Sequence, residues 1–110
     1  MNVIRVNEDK AIRRVMDLIS ISGGSCQEQD VSAWIQKALT DAGIPENAIS
    51  IDNAHKKSPA GGTTGNLIIK LKGTVKGPRR LLMAHMDTVP ICAGCQPVLE
   101  SDWIRPKSKE

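Results

Sequence analysis

Arg80-Leu-Leu-Met-Ala-His-Met-Asp-Thr-Val-Pro90 is the stretch on which the reading of this 110-residue chain turns. Four apolar residues, Leu81 to Ala84, with Met86 beyond the histidine, have the composition of a strand buried on both faces. Side chains alternate along a strand, so Leu81, Met83, His85 and Asp87 leave one face, and Leu82, Ala84 and Met86 the other. His85 and Asp87 then stand on the same face, about 7 Å apart along the strand. Pro90 discourages further ladder pairing, which places the pair at the carboxyl end of the strand. Open α/β sheets bind their ligands at that end.

That spacing has a specific chemistry. A neutral imidazole ligates a metal through one ring nitrogen, and the N–H on the other needs an acceptor. A carboxylate two residues on, on the same face, accepts that proton, fixes the tautomer and raises the basicity of the ring. Taken bare, His-x-Asp is equally a histidine satisfied by a neighbouring carboxylate at a strand end, with no metal involved.

The surrounding residues narrow the choice. Leu81-Leu-Met-Ala-His85-Met-Asp87-Thr-Val-Pro90 closely resembles the first metal motif of the zinc exopeptidases that include peptidase T, carboxypeptidase G and aminoacylase. Thr64-Gly65-Asn66 through Gly73 is similar to the Gly-Asn strand of that family, and Ile21-Ser-Gly-Gly-Ser25 to its opening. The resemblance runs from about residue 8 to about residue 105. It implies that His85 binds one zinc, that Asp87 holds His85 in place as part of the catalytic apparatus, and that the complete domain carries two zinc ions. It also implies a metallopeptidase, a di- or tripeptidase or aminopeptidase of peptidase T type. Such an enzyme hydrolyses small peptides or related amides through a metal-bound water.

The rest of the chain agrees with a globular α/β piece. It is 40% apolar and 25% charged, near the average for folded domains, but only 2% aromatic, with no Phe and no Tyr. Stacking surfaces for single-stranded nucleic acid are therefore scarce. The net charge of +3 forms no long block, no apolar run is long enough to span a bilayer, and Met1 to Lys10 is too polar for a signal peptide. These features point away from nucleic acid and membrane partners and toward the cytoplasm.

Asn7, followed by Glu8 and Asp9, caps a first helix whose stripe is Ile12, Val15, Met16 and Ile19. Ser25 with Glu28 has the capping-box pattern for a second helix, striped by Val31, Trp34, Ile35, Ala38, Leu39 and Ala42. Gly43, Ile44 and Pro45 end it. Ala48 to Asp52 and Asn66 to Lys72 read as strands around a polar loop, in which His55, a candidate second metal ligand by residue type, reads as solvated beside Lys56 and Lys57. Local logic joins strand 66–72 to strand 80–86 as a hairpin, whereas the resemblance implies a later strand inserted between them. Cys92-Ala-Gly-Cys95 has no partner motif for a four-ligand zinc site and reads as two reduced, partly buried residues. Val98 to Ile104 suits one more strand or hairpin.

The fold class expected is α/β, a partial three-layer mixed sheet with helices. Residues 1–110 would form the incomplete N-terminal part of one zinc-peptidase-like catalytic domain. The family's Gly-x-Asp-Asp and Glu-Glu segments, which supply the bridging ligand and the general base, have no counterpart here; Glu100, Asp102 and Glu110 stand in no matching motif. The isolated chain is expected to be inactive, since a catalytic zinc needs three protein ligands. It is also expected to associate with itself through an exposed sheet surface. The reading of a different class is a non-catalytic piece, a truncated fragment or an assembly module.

Overall fold

The computed structural model describes residues 3–107, which form two helices and two small antiparallel sheets, a mixed α/β arrangement. Helix α1, Glu8–Ser20, starts where expected: the Asn7 side chain accepts from the Lys10 N–H at 3.0 Å, and Glu8 and Asp9 lie in the positive first turn. Ile12, Met16 and Ile19 are half-buried, while Val15 stays exposed. Ile12 and Met16 border a shallow groove with Leu99 of the second sheet.

Helix α2, Gln29–Asp41, buries Val31 and half-buries Trp34, Ile35, Ala38 and Leu39; Ala42, just past its end, is exposed. Its stop follows the sequence. Gly43 adopts φ +90°, its N–H reaches the Thr40 carbonyl at 2.9 Å, and the Ile44 N–H reaches Leu39 at 3.0 Å. This is the paired closure of a Schellman motif, which needs a residue free to enter the left-handed region. The start differs. Glu28 occupies the N-cap without a side-chain cap bond, and Ser25 plays no part in it. A turn from Gly24 to Gln27 and a left-handed Cys26 at φ 69° separate Ser25 from the helix, so its hydroxyl faces elsewhere.

Strands β1, Ile49–Ile51, and β2, Leu67–Ile69, pair antiparallel with Ser50 opposite Ile68. The ladder extends by Asp52 N–H to Asn66 and Lys70 N–H to Ala48. Strands β3, Pro97–Glu100, and β4, Trp103–Pro106, form the C-terminal hairpin.

The expectation of a buried central strand over 80–86, and of a hairpin joining it to 66–72, is not met. Among the described residues, 71–87 make no backbone–backbone hydrogen bond, and Leu81, Leu82 and Met83 are 81%, 94% and 85% exposed. An apolar run becomes a buried strand only when neighbours pair with its edges and cover its faces. Here β2 pairs with β1 alone, and no described element reaches the run. Its one sheet-like contact lies just beyond it, the parallel bridge of Thr88 to Gly24.

Candidate functional site

The loop Ser22–Cys26, between the two helices, gathers the site. Thr88 donates its N–H to the Gly23 carbonyl at 2.8 Å, and Gly94 donates to the Ser22 hydroxyl at 3.1 Å. On the other side the Thr63 N–H reaches the Cys26 carbonyl at 3.0 Å. The Glu28 carboxylate accepts the Cys26 N–H at 2.9 Å, which turns the helix start back onto the loop. Gly23 is buried against α2, where a Cβ would stand 2.6 Å from the Val31 methyl. Three segments distant in sequence, 22–26, 61–66 and 85–94, are thus tied to one point.

His85 and Asp87 come together, although the strand expected to place them on one face does not form. The His85 Nδ1 lies 3.0 Å from Asp87 Oδ1 and 2.9 Å from the Asp87 carbonyl oxygen. Both oxygens are acceptors, so Nδ1 carries the proton and donates. The Asp87 carboxyl sits below its ordinary range, first because the Ser25 hydroxyl donates to it and then because of His85. The Ser25 Oγ donates to Asp87 Oδ2 at 2.5 Å, across 62 positions of sequence. The outcome is an imidazole whose Nδ1 is engaged and whose Nε2 lone pair faces outward on a side chain 84% exposed. A ring so held is a competent ligand for a borderline metal such as zinc.

Beside this pair lies a cleft of about 400 Å³, whose lining includes His85, Asp87, His55, Cys26, Glu28 and Asn66. His55, expected to be solvated, is instead half-buried in the 3-10 turn Ala54–Lys57, with its Nδ1 buried and without a partner. The cleft wall is shaped by Asp52. Its carboxylate accepts the Ala54 N–H at 3.0 Å, the Asn66 N–H at 2.8 Å and the Asn66 side-chain amide at 2.9 Å. These bonds, led by the one from Ala54, hold the Asp52 carboxyl below its usual value. Gly65 permits the approach, since a Cβ there would run into the Asp52 carbonyl and carboxylate.

Ser25 and Asp52 are site residues that the sequence does not single out. The Ser25 signal was present but pointed to a cap; the Asp52 signal was an aspartate two residues before a turn, too common to single out. Cys92 and Cys95 are free and half-buried beside the site, with the Cys95 N–H on the Cys92 carbonyl. Among the described residues no three His, Cys, Asp or Glu side chains converge to hold a metal ion. The residues present therefore fit zinc as one well-oriented ligand rather than as a closed shell.

Over 100 residues the chain is 26% identical to the uncharacterized protein YqjE of Bacillus subtilis. The match takes in 91% of this chain and 26% of the relative, so the chain spans about a quarter of that protein's length. No protein-family model matches, and no solved structure does. Among the described residues no helix is long and apolar enough to cross a membrane.

Proposed function

We propose that this chain carries the first metal half-site of a zinc-exopeptidase-type catalytic domain, with His85 as a zinc ligand and Asp87 orienting it. The observation that carries the reading is the His85–Asp87 pair, with Nδ1 engaged by two oxygens and Nε2 free. When bound, zinc supplies Lewis acidity toward an amide carbonyl and a source of hydroxide near neutral pH. His85 contributes a lone pair fixed in direction, and the Asp87 carboxylate keeps the proton on Nδ1. The cleft beside them is of a size to admit a small peptide, the substrate class this reading assigns to the complete domain. This reading requires further ligands and a general base beyond the His85–Asp87 pair. A mixed three-layer sheet completed by further strands, two zinc ions in the whole domain and a cytoplasmic setting go with the same reading; three free cysteines suit a reducing compartment.

Zinc titration of the purified chain tests it. Binding with a stoichiometry near one, lost in His85→Ala, is the expected result; no binding, or binding indifferent to His85, removes the metal reading. A second reading, a non-catalytic assembly module, is favoured by the bare apolar surface of Leu81, Leu82 and Met83. Under that reading the chain binds no zinc and self-associates.

A further inference from the structure

We infer that the turn Cys92-Ala-Gly-Cys95 is a preformed dithiol site, which a low-molecular-weight disulfide closes to a reversible Cys92–Cys95 disulfide. The site shares no side chain with the zinc reading of His85.

The backbone sets the two cysteines together. Cys92 ends the 3-10 turn Pro90–Cys92, and Ala93 follows at φ −61°, ψ 127°. Gly94 then enters the left-handed region at φ +72°, and the Cys95 N–H reaches the Cys92 carbonyl at 3.1 Å. These are the angles and the closing bond of a type II turn, whose third position needs a residue free to take positive φ. Among the described residues no atom comes within 4 Å of a Cβ built on Gly94, so glycine serves the backbone angle here rather than close packing. Such a turn keeps its first and fourth Cα atoms within about 7 Å, and a disulfide spans about 4.4–6.8 Å. Closure therefore asks for side-chain rotation more than for movement of the backbone.

Both ends of the turn are fastened. The Cys92 N–H reaches the Val89 carbonyl at 2.9 Å, and the Ala93 N–H reaches Pro90 at 3.1 Å. The Gly94 N–H donates to the Ser22 hydroxyl at 3.1 Å. Beyond Cys95, the Gln96 carbonyl accepts the Lys107 N–H at 2.8 Å, beside the C-terminal hairpin. Both thiols are free and half-buried. The third free thiol, Cys26, belongs to a different place: its backbone is tied to Thr63 and Glu28, and it lines the cleft, which Cys92 and Cys95 do not.

The exchange balances in two steps. One cysteine, as thiolate, attacks a sulfur of the small disulfide, breaks its S–S bond and releases one small thiol. The other cysteine attacks the protein sulfur of this mixed disulfide, forms the Cys92–Cys95 bond and releases the second small thiol. The protein pair is oxidised by two electrons, the small disulfide is reduced by two, and the two cysteine protons leave on the two small thiols. In a reducing compartment the pair rests as the dithiol and closes as the poise becomes more oxidising.

Equilibration of the 110-residue chain with mixtures of reduced and oxidised glutathione, trapped by alkylation and read by mass spectrometry, tests this. The expected product has lost two hydrogens, carries no glutathione and keeps Cys26 alkylated. Cys92→Ser and Cys95→Ser should each retain one glutathione adduct on the remaining partner, and Cys26→Ser should close as the parent does. Half-closure should need about tenfold less oxidised glutathione in the folded chain than in the same chain in strong denaturant. Gly94→Ala should move the folded value toward the denatured one. Glutathione adducts on Cys92 and Cys95 without closure, a pair that stays reduced throughout, or closure through Cys26 overturns the inference. Equal half-closure in folded and denatured chain does the same, because the turn would then contribute nothing.

Discussion

At the scale of single residues, the distinction that matters is between a side chain held by its neighbours and one merely near them. His85 is highly exposed yet oriented, because two oxygens of one residue accept from its Nδ1. One oriented ligand does not make a catalyst. The chain alone should hydrolyse no dipeptide or tripeptide, since an activated water needs further ligands. Zinc-dependent turnover by the pure chain, abolished in His85→Ala, would show that other ligands lie within these residues. Asp52 makes a second case. Its carboxyl is depressed by three hydrogen bonds, so the charged form is the one the fold favours. A depressed folded value stabilises fully above the unfolded value near pH 4 and loses that contribution as pH falls below it. Thermal melting should therefore drop as pH falls below about 4, and drop less in Asp52→Asn. Equal acid sensitivity in the two proteins would place the acid-labile group elsewhere.

At the scale of elements, the two helices and the C-terminal hairpin were legible in the sequence, and the central strand was not. The Asn7 cap, the apolar stripes and the Gly43 stop are local devices, complete within a few turns of chain, and they form as written. The run Leu81–Met86 has equally clear strand composition, but a strand is a relation between segments, and among the described residues none pairs with it. The site lies between these cases. His85 and Asp87 meet two positions apart with no strand around them, whereas Ser25 belongs to the site only because the loop folds back across 62 positions. No periodicity announces a contact of that span. The loop also yields a prediction. Gly23 lies so close to Val31 that Gly23→Ala must push the loop off α2 or the methyl out of the interior. The cost should be roughly 1–3 kcal/mol, as for other overpacked sites. It should appear in urea unfolding together with loss of the Ser25–Asp87 contact, seen in the Asp87 carboxyl resonance. A variant as stable as the parent, with that resonance unmoved, would mean the loop is held more loosely than these distances say.

At the scale of the molecule, too little surface is covered. The accessible area is 9,880 Å², where a folded monomer of this mass exposes about 6,000 Å². The radius of gyration is 16.5 Å, against about 13 Å for a compact domain of this length. Among the described residues only Val31, Ser32, Gly23 and Gly65 are buried, while Leu71, Val75, Leu81, Leu82 and Met83 face water. Covering about 300 Å² of such apolar surface is worth about 7 kcal/mol, as much as the whole stability of many small domains. The run Leu81–Met86 offers that surface together with an unpaired backbone, and a strand laid along it would satisfy both at once. In isolation the chain should therefore bind a hydrophobic dye and associate with rising concentration, seen by size exclusion with light scattering. Leu82→Lys should reduce both while leaving helix content by circular dichroism unchanged, because Leu82 is 94% exposed and serves neither helix. A monodisperse monomer that unfolds cooperatively and binds no dye would mean that the sheet closes within these residues, with 80–86 paired to a strand of its own chain.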